Sequence, residues 1–214
     1  MDENDSKAKI LQGATELFLR YGIRSVSMDN IANHLGVSKK TIYQYFKDKD
    51  EMVNSVTANH IQKDKSELDW IAENSKNAVE ELVNLTHCLR ENFREMNPSL
   101  LFDLQKYHHK SWALWIEYKS EHIKNQIVRS LNQGKEEGYF RADLNTEILA
   151  RMRLETIQLA FDPSVFPADQ FDLTTVQMQG FEHFIYGLFT DKGRKLYEKY
   201  KLKMITKDQS TIKL

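Results

Sequence analysis

The apolar positions of this chain recur every three or four residues almost from end to end. That is the spacing of one-sided helices, and nowhere does the chain alternate as a half-buried strand would. Ile10, Ala14, Leu17, Phe18 and Tyr21 form a first stripe, closed by Gly22, the residue type best able to end a helix in the left-handed conformation. Ser27 is the expected cap of a second helix. The Glu or Gln that would return its hydrogen bond three residues on is missing, and Asn30 stands there. Met28, Ile31, Ala32 and Leu35 give this helix a buried side, and the small Ala32 allows a close crossing. Gly36 ends it, Val37 is expected to plug the space beneath the turn, and Ser38 caps a third helix. There Ile42 and Phe46 face inward and Tyr45 lies between faces. Lys39, Lys40, Thr41, Tyr43 and Gln44 look out. Asp48 and Glu51 fit a capping box for a fourth helix.

Beyond residue 50 the helical period continues without a repeat. Helices are expected over residues 48–70, 77–96 and 99–107, the last opened by Asn97-Pro98. Trp112, Trp115, Ile116, Ile123, Ile127 and Leu131 trace one stripe along a single long helix ending near Gly134. Two more helices are expected over 146–161 and 173–190, separated by a stiff connector carrying Pro163 and Pro167. From Asp191 on, the chain reads as a solvated basic tail.

Composition narrows the class. Eight Gly and three Pro in 214 residues permit long uninterrupted helices and argue against a many-turned β fold. The single Cys88 excludes an internal disulfide framework and fits a reducing cytoplasm. No apolar run approaches the ~18–20 residues of a membrane span, and the acidic start Met1-Asp2-Glu3 is not that of a signal peptide. The formal net charge of -1 is a poor guide to nucleic-acid binding, which depends on a local patch. Lys39, Lys40, Lys47 and Lys49 supply one, with only Asp48 interposed.

The two short helices around Gly36-Val37-Ser38 resemble a helix-turn-helix, which lays its second helix in the major groove of duplex DNA. Gln can read an adenine edge, Thr and Tyr can meet a thymine methyl or a phosphate, and Lys can do either job. Lys49 opens the fourth helix, where a cation opposes the helix dipole. A phosphate oxygen there would relieve the conflict, so a DNA-backbone contact is expected.

Ala14-x-x-Leu17-Phe18, Tyr21-Gly22, Ser27-x-x-x-Ile31-Ala32, Leu35-Gly36-Val37-Ser38, Thr41-Ile42-Tyr43-x-Tyr45-Phe46 and Lys49, all in register, resemble the tetracycline-repressor (TetR) family of bacterial transcriptional regulators. Gly134 to Asn145 resembles the loop those regulators carry before their last two helices. The resemblance implies an all-α chain: a three-helix DNA-binding head over residues 1–50, and a larger helical ligand-sensing and dimerisation domain over 51–214. Carried over by position, Ser27, Ser38, Lys39, Lys40, Thr41, Tyr43, Gln44, Tyr45 and Lys49 match DNA-facing positions. Lys40 stands where the family often has Gly or a small residue. The last two helices are expected to pair with their twins as a four-helix bundle. A homodimer also suits two recognition helices that must reach grooves ~34 Å, or a multiple of it, apart on a palindromic operator.

The resemblance further implies a small-molecule effector enclosed by the second domain, whose binding releases DNA. Phe93, Met96, Phe102, Tyr107, Trp112, Trp115, Tyr118, Met152 and Phe161 are the candidate lining: a large aromatic pocket with few charges, suited to a hydrophobic or planar ligand. His108, His109, His122 and Cys88 do not fall at metal-ligand spacing, so no metal is expected. No Gly-rich phosphate loop, nucleophile elbow or spaced acidic pair points to an enzyme or a cofactor. The competing reading is a helical ligand- or partner-binding protein whose head no longer binds DNA.

Overall fold

The computed structural model describes residues 3–211, and side chains from 5 to 204. It is helical throughout, with no strand among the described residues; one isolated bridge pairs Phe140 with Phe189. The head consists of α1 (Glu3–Tyr21), α2 (Met28–Leu35) and α3 (Lys39–Tyr45). Ile10, Ala14, Phe18, Ile31, Ala32, Ile42 and Phe46 close its core. Helices α1 and α2 cross closely at Gly13, where a Cβ would come within 2.7 Å of Leu35 Cδ2, so the half-buried Leu35 lies across bare backbone. Asn30 does the work expected of Glu or Gln. Its Oδ1 accepts from the Ser27 amide at 2.8 Å while its own amide donates to Ser27 Oγ at 3.1 Å. Gly22 and Gly36 both take the left-handed conformation, at φ 79 and 65.

Two inward expectations fail. Tyr21 is 50% exposed because it lies at the end of α1, past the buried steps Ile10, Ala14 and Phe18, and its ring meets the Arg20 guanidinium instead. Val37 is 36% exposed. The reversal at Gly36 commits the Val37 amide to the Ala32 carbonyl at 3.0 Å and leaves its side chain on the outside of the turn.

Eight α-helices follow the head among the described residues: α4 (Lys49–Asn74), α5 (Ala78–Arg94), α6 (Leu100–Tyr107), α7 (His109–Glu117), α8 (Lys124–Glu136), α9 (Thr146–Leu159), α10 (Leu173–Tyr186) and α11 (Asp191–Thr211). The head core runs on into this region, since Met52, Val53 and Val56 of α4 and Leu100 and Leu104 of α6 belong to the same cluster. A second core gathers Val79, Leu82, Leu131, Phe140, Phe181, Ile185 and Tyr197.

The helix expected to run unbroken through Trp112 to Gly134 is interrupted. Residues 118–123 form a π-helical turn between α7 and α8. Its wider spacing shifts the stripe, so Ile116 is exposed while Tyr118 and Lys119 turn inward. Lys119 is buried because its ammonium donates to Glu155 and Gln158 of α9 at 2.8 and 2.7 Å. The expected solvated tail is instead α11, packed on α5, with the Tyr197 ring fully buried against Phe189. The basic residues of this segment occupy its outer face, and the aromatic and aliphatic ones hold it down.

Candidate functional site

Helix α3 presents one outward strip, with Ile42 buried behind it. Ser38 Oγ accepts the Thr41 amide at 3.1 Å and lies 2.8 Å from Thr41 Oγ1, which fixes the start of the helix. Lys40, Tyr43 and Gln44 follow at helical spacing, all exposed, with none engaged in a side-chain hydrogen bond or ion pair among the described residues. Tyr43 is 44% exposed and stacks on no other ring among the described residues. Its ring stands in water beside Lys40 and Gln44. Tyr45, by contrast, is half-buried and packs against the head core.

The lysines are not equivalent. Lys39 Nζ lies 2.8 Å from Asp29 on α2, and that hydrogen bond raises its pKa. Lys40 has no ion pair among the described residues. Lys49 takes a partner the sequence did not suggest: its ammonium donates to the Ile23 carbonyl at 2.6 Å, and burial lowers its pKa, opposed by the nearby Asp103 carboxylate. It ties the start of α4 to the α1–α2 loop. Asp48 Oδ1 caps α4 through the Glu51 amide at 2.8 Å, while Glu51 returns to the Lys47 amide at 2.7 Å, one residue before the cap.

The head is joined to the rest of the chain by polar contacts around α6. The Asn97 amide donates to the Leu19 carbonyl at 2.6 Å. The Arg24 amide donates to the buried Asp103 carboxylate at 3.1 Å. His108 meets Asp50 at 2.7 Å, linking the α6–α7 junction to the first turn of α4.

Behind α6 lies a cavity of about 240 Å³ among α1, α4, α5, α7, α8, α9 and α10. Of the candidate lining residues, Phe93, Met96, Trp115, Tyr118 and Phe161 reach it. Phe102 and Trp112 line a separate, shallower hollow beside Phe161. Tyr107 and Met152 line neither. Tyr107 stands outside with Arg24 and Lys106 over its ring, and Met152, 59% exposed, lies on the opposite face of α9 from the buried Ala150 and Leu154.

The wall also carries charge that the expected aromatic pocket lacked: His60, Asp64 and Glu67 from α4, Glu81 from α5 and Arg153 from α9. Burial raises the Asp64 pKa against the pull of His60, 3.6 Å away. Glu81 is likewise raised by burial, with Arg129 opposing from 2.6 Å. Cys88 is pushed up to about 12 by burial, so its thiol stays protonated and unreactive. Arg153 is different. It is 3% exposed and has no acidic partner among the described residues, and burial alone lowers its pKa to about 10. One signal for it was in the sequence, since Leu149, Arg153 and Ile157 fall on one stripe and the middle member is charged. The acids of α4 gave no such sign, because that helix is polar on most faces.

Residues 10–56 match the family described as bacterial regulatory proteins, tetR family. The chain is 29% identical over 140 residues to the HTH-type transcriptional regulator YvaF of Bacillus subtilis, covering 65% of this chain and 73% of that one. It is 25% identical over 168 residues to the HTH-type transcriptional repressor KstR2 of Mycobacterium tuberculosis, covering 72% and 78%. Among solved structures, a TetR-family regulator from Agrobacterium tumefaciens superposes with a TM-score of 0.73 at 14% identity, over 88% of this chain and all of that one. The head is thus of the tetR-family type in sequence, and the chain as a whole is similar to HTH-type transcriptional regulators in sequence and shares the helical fold of a TetR-family structure.

Proposed function

We propose that the protein is a cytoplasmic repressor that binds a palindromic operator as a homodimer and releases it when a small molecule enters the cavity behind α6. The observation that carries this reading is the exposed, unpaired strip Lys40-Tyr43-Gln44 on a head whose core is closed beneath it. Gln44 and Tyr43 are the base readers. Ser27, Ser38, Lys40 and Thr41 serve the phosphates, Lys39 and Lys49 join them only by leaving Asp29 and the Ile23 carbonyl, and Tyr45 supports from the core side.

The path from cavity to head is short. Leu100, Leu101 and Leu104 of α6 border the cavity, and the same helix is anchored to the head through Asn97 and Asp103. A ligand that prefers one position of α6 therefore biases the head spacing by its difference in affinity between the two states. The exposed Ile148, Met152 and Leu159 of α9 supply an apolar stripe suited to a twin helix. Repression as the sign is supported by the name of the KstR2 relative.

The test is selection of bound sequences from a random duplex pool at two salt concentrations. An inverted repeat with half-sites about one helical turn apart, or a multiple of it, is the expected result. Recovery of salt-labile, sequence-indifferent binding alone would refute the regulator reading and favour a head without a DNA role.

A further inference from the structure

A buried guanidinium without an anion is a rare arrangement, because a charge taken out of water is ordinarily paired. Arg153 has none. No hydrogen bond or ion pair reaches it among the described residues, and its Nη1 is buried with no acceptor. Phe181 lies under the guanidinium, 4.9 Å from ring centroid to Cζ. A ring meets only the face of that group, and the N–H donors in its plane remain unanswered. A second orphan donor lies on the same cavity wall, the Trp115 Nε1. Two buried donors and a positive charge thus line a cavity whose wall is mostly Leu, Ile, Val and Phe, with the acids Asp64, Glu67 and Glu81 and His60 also on it.

Building on the ligand-responsive reading above, we propose that the effector is an amphiphilic monoanion, an apolar body ending in one carboxylate, and that Arg153 is the residue that binds the carboxylate.

A carboxylate accepts two parallel N–H bonds from a guanidinium, so it satisfies both charge and geometry at once. A dianionic head group suits the site less, since Asp64, Glu67 and Glu81 line the same cavity and, among the described residues, Arg153 is the one cation there without a partner. Size is consistent with a modest body: the cavity is about 240 Å³, where ~150 Å³ already accepts benzene. Medium-chain and aryl-alkanoic acids fall in that range. Arg153 sits on α9, whose outer face is the stripe proposed for dimer pairing, so a ligand held there contacts both the α6 side and the dimer side of the domain.

The experiment measures binding of octanoate and 4-phenylbutyrate to the full-length protein by calorimetry, beside the matching primary amides and octylamine. It is then repeated with Arg153→Met, which keeps the side chain's bulk and apolar stem. In the unaltered protein the acids are expected to bind at least tenfold more tightly than their amides. In R153M that preference should vanish, through a tenfold or greater loss for the acids with little change for the amides. R153M without ligand should also melt about 2–8 °C higher, because an unpaired buried charge has been removed.

Equal affinity for acid and amide, retention of the preference in R153M, a lower melting temperature for R153M, or no acid binding below about 1 mM would each overturn the assignment. Tighter binding of octylamine would overturn it too, and would move the polar pole of the site to the α4 acids. The regulatory reading is judged separately, by whether a bound acid dissociates the protein from its selected operator. An acid that binds through Arg153 yet leaves the operator complex intact would keep this assignment and refute that reading.

Discussion

Lys39 and Lys40 stand side by side at the start of α3 and carry the same formal charge, but Lys40 alone of the two is free to give it to a phosphate. Asp29 holds the Lys39 ammonium at 2.8 Å. Replacing Lys40 with Ala should therefore lower the slope of log affinity against log salt by about 1. Asp29→Asn, which frees Lys39, should raise affinity and steepen that slope. Salt titrations of operator binding separate the two, and an unchanged slope for D29N would show that Lys39 already leaves Asp29 for the phosphates when DNA is bound. Gln44→Ala should instead change the preference among operator variants, by about 1–3 kcal/mol at the base it reads. Lys49 calls for a measurement without DNA. Because its ammonium bonds the Ile23 carbonyl, Lys49→Met should cost the free protein about 1.5–3 kcal/mol in urea unfolding. A lysine serving phosphate alone would leave that stability unchanged.

At the scale of elements, α6 and α11 do the least expected work. The buried Asp103 of α6 accepts the Arg24 amide and the Ser99 hydroxyl, so the helix grips the α1–α2 loop through a carboxylate in the interior. Asp103→Ala leaves that amide without its acceptor and should cost about 1–3 kcal/mol of stability, again read by urea unfolding. A cost near zero would mean that the apolar contacts of Leu100 and Leu104 hold α6 by themselves. For α11 the sharpest probe is Gly193. A Cβ there would stand 2.1 Å from the Tyr139 carbonyl oxygen, a backbone atom fixed between α8 and α9. Gly193→Ala should therefore destabilise by about 1–3 kcal/mol as overpacking does, with the midpoint of thermal unfolding as the readout. Were α11 a solvated tail, the substitution would be silent.

For the whole molecule the question is how two heads are held at a fixed distance. Ile148, Met152 and Leu159 leave an apolar stripe on α9 that this chain by itself does not cover. Ile148→Glu combined with Met152→Glu should give a monomer in light scattering at micromolar concentration and lose operator binding, while helical content and melting stay close to those of the unaltered chain. A dimer that survives both charges would place the interface elsewhere. Much of this molecule was legible in the chain. The head's helix order, the caps at Ser27, Ser38 and Asp48, and the outward strip of α3 follow from local rules, because capping and one-sided burial are settled by neighbours a few residues apart. Asn30 shows the limit of such rules, since a shorter side chain closed the same box. What tertiary structure alone decided were the matters in which distant segments meet. The turn at 118–123 rotated a stripe that looked continuous, and α11 took a place in the core that its lysines concealed. Met152 and Tyr107 fell outside the cavity while Asp64 and Arg153 fell within it. Periodicity says that a helix has an apolar face, but which neighbour covers that face, and which charge is trapped beneath it, depends on packing between residues far apart in the chain.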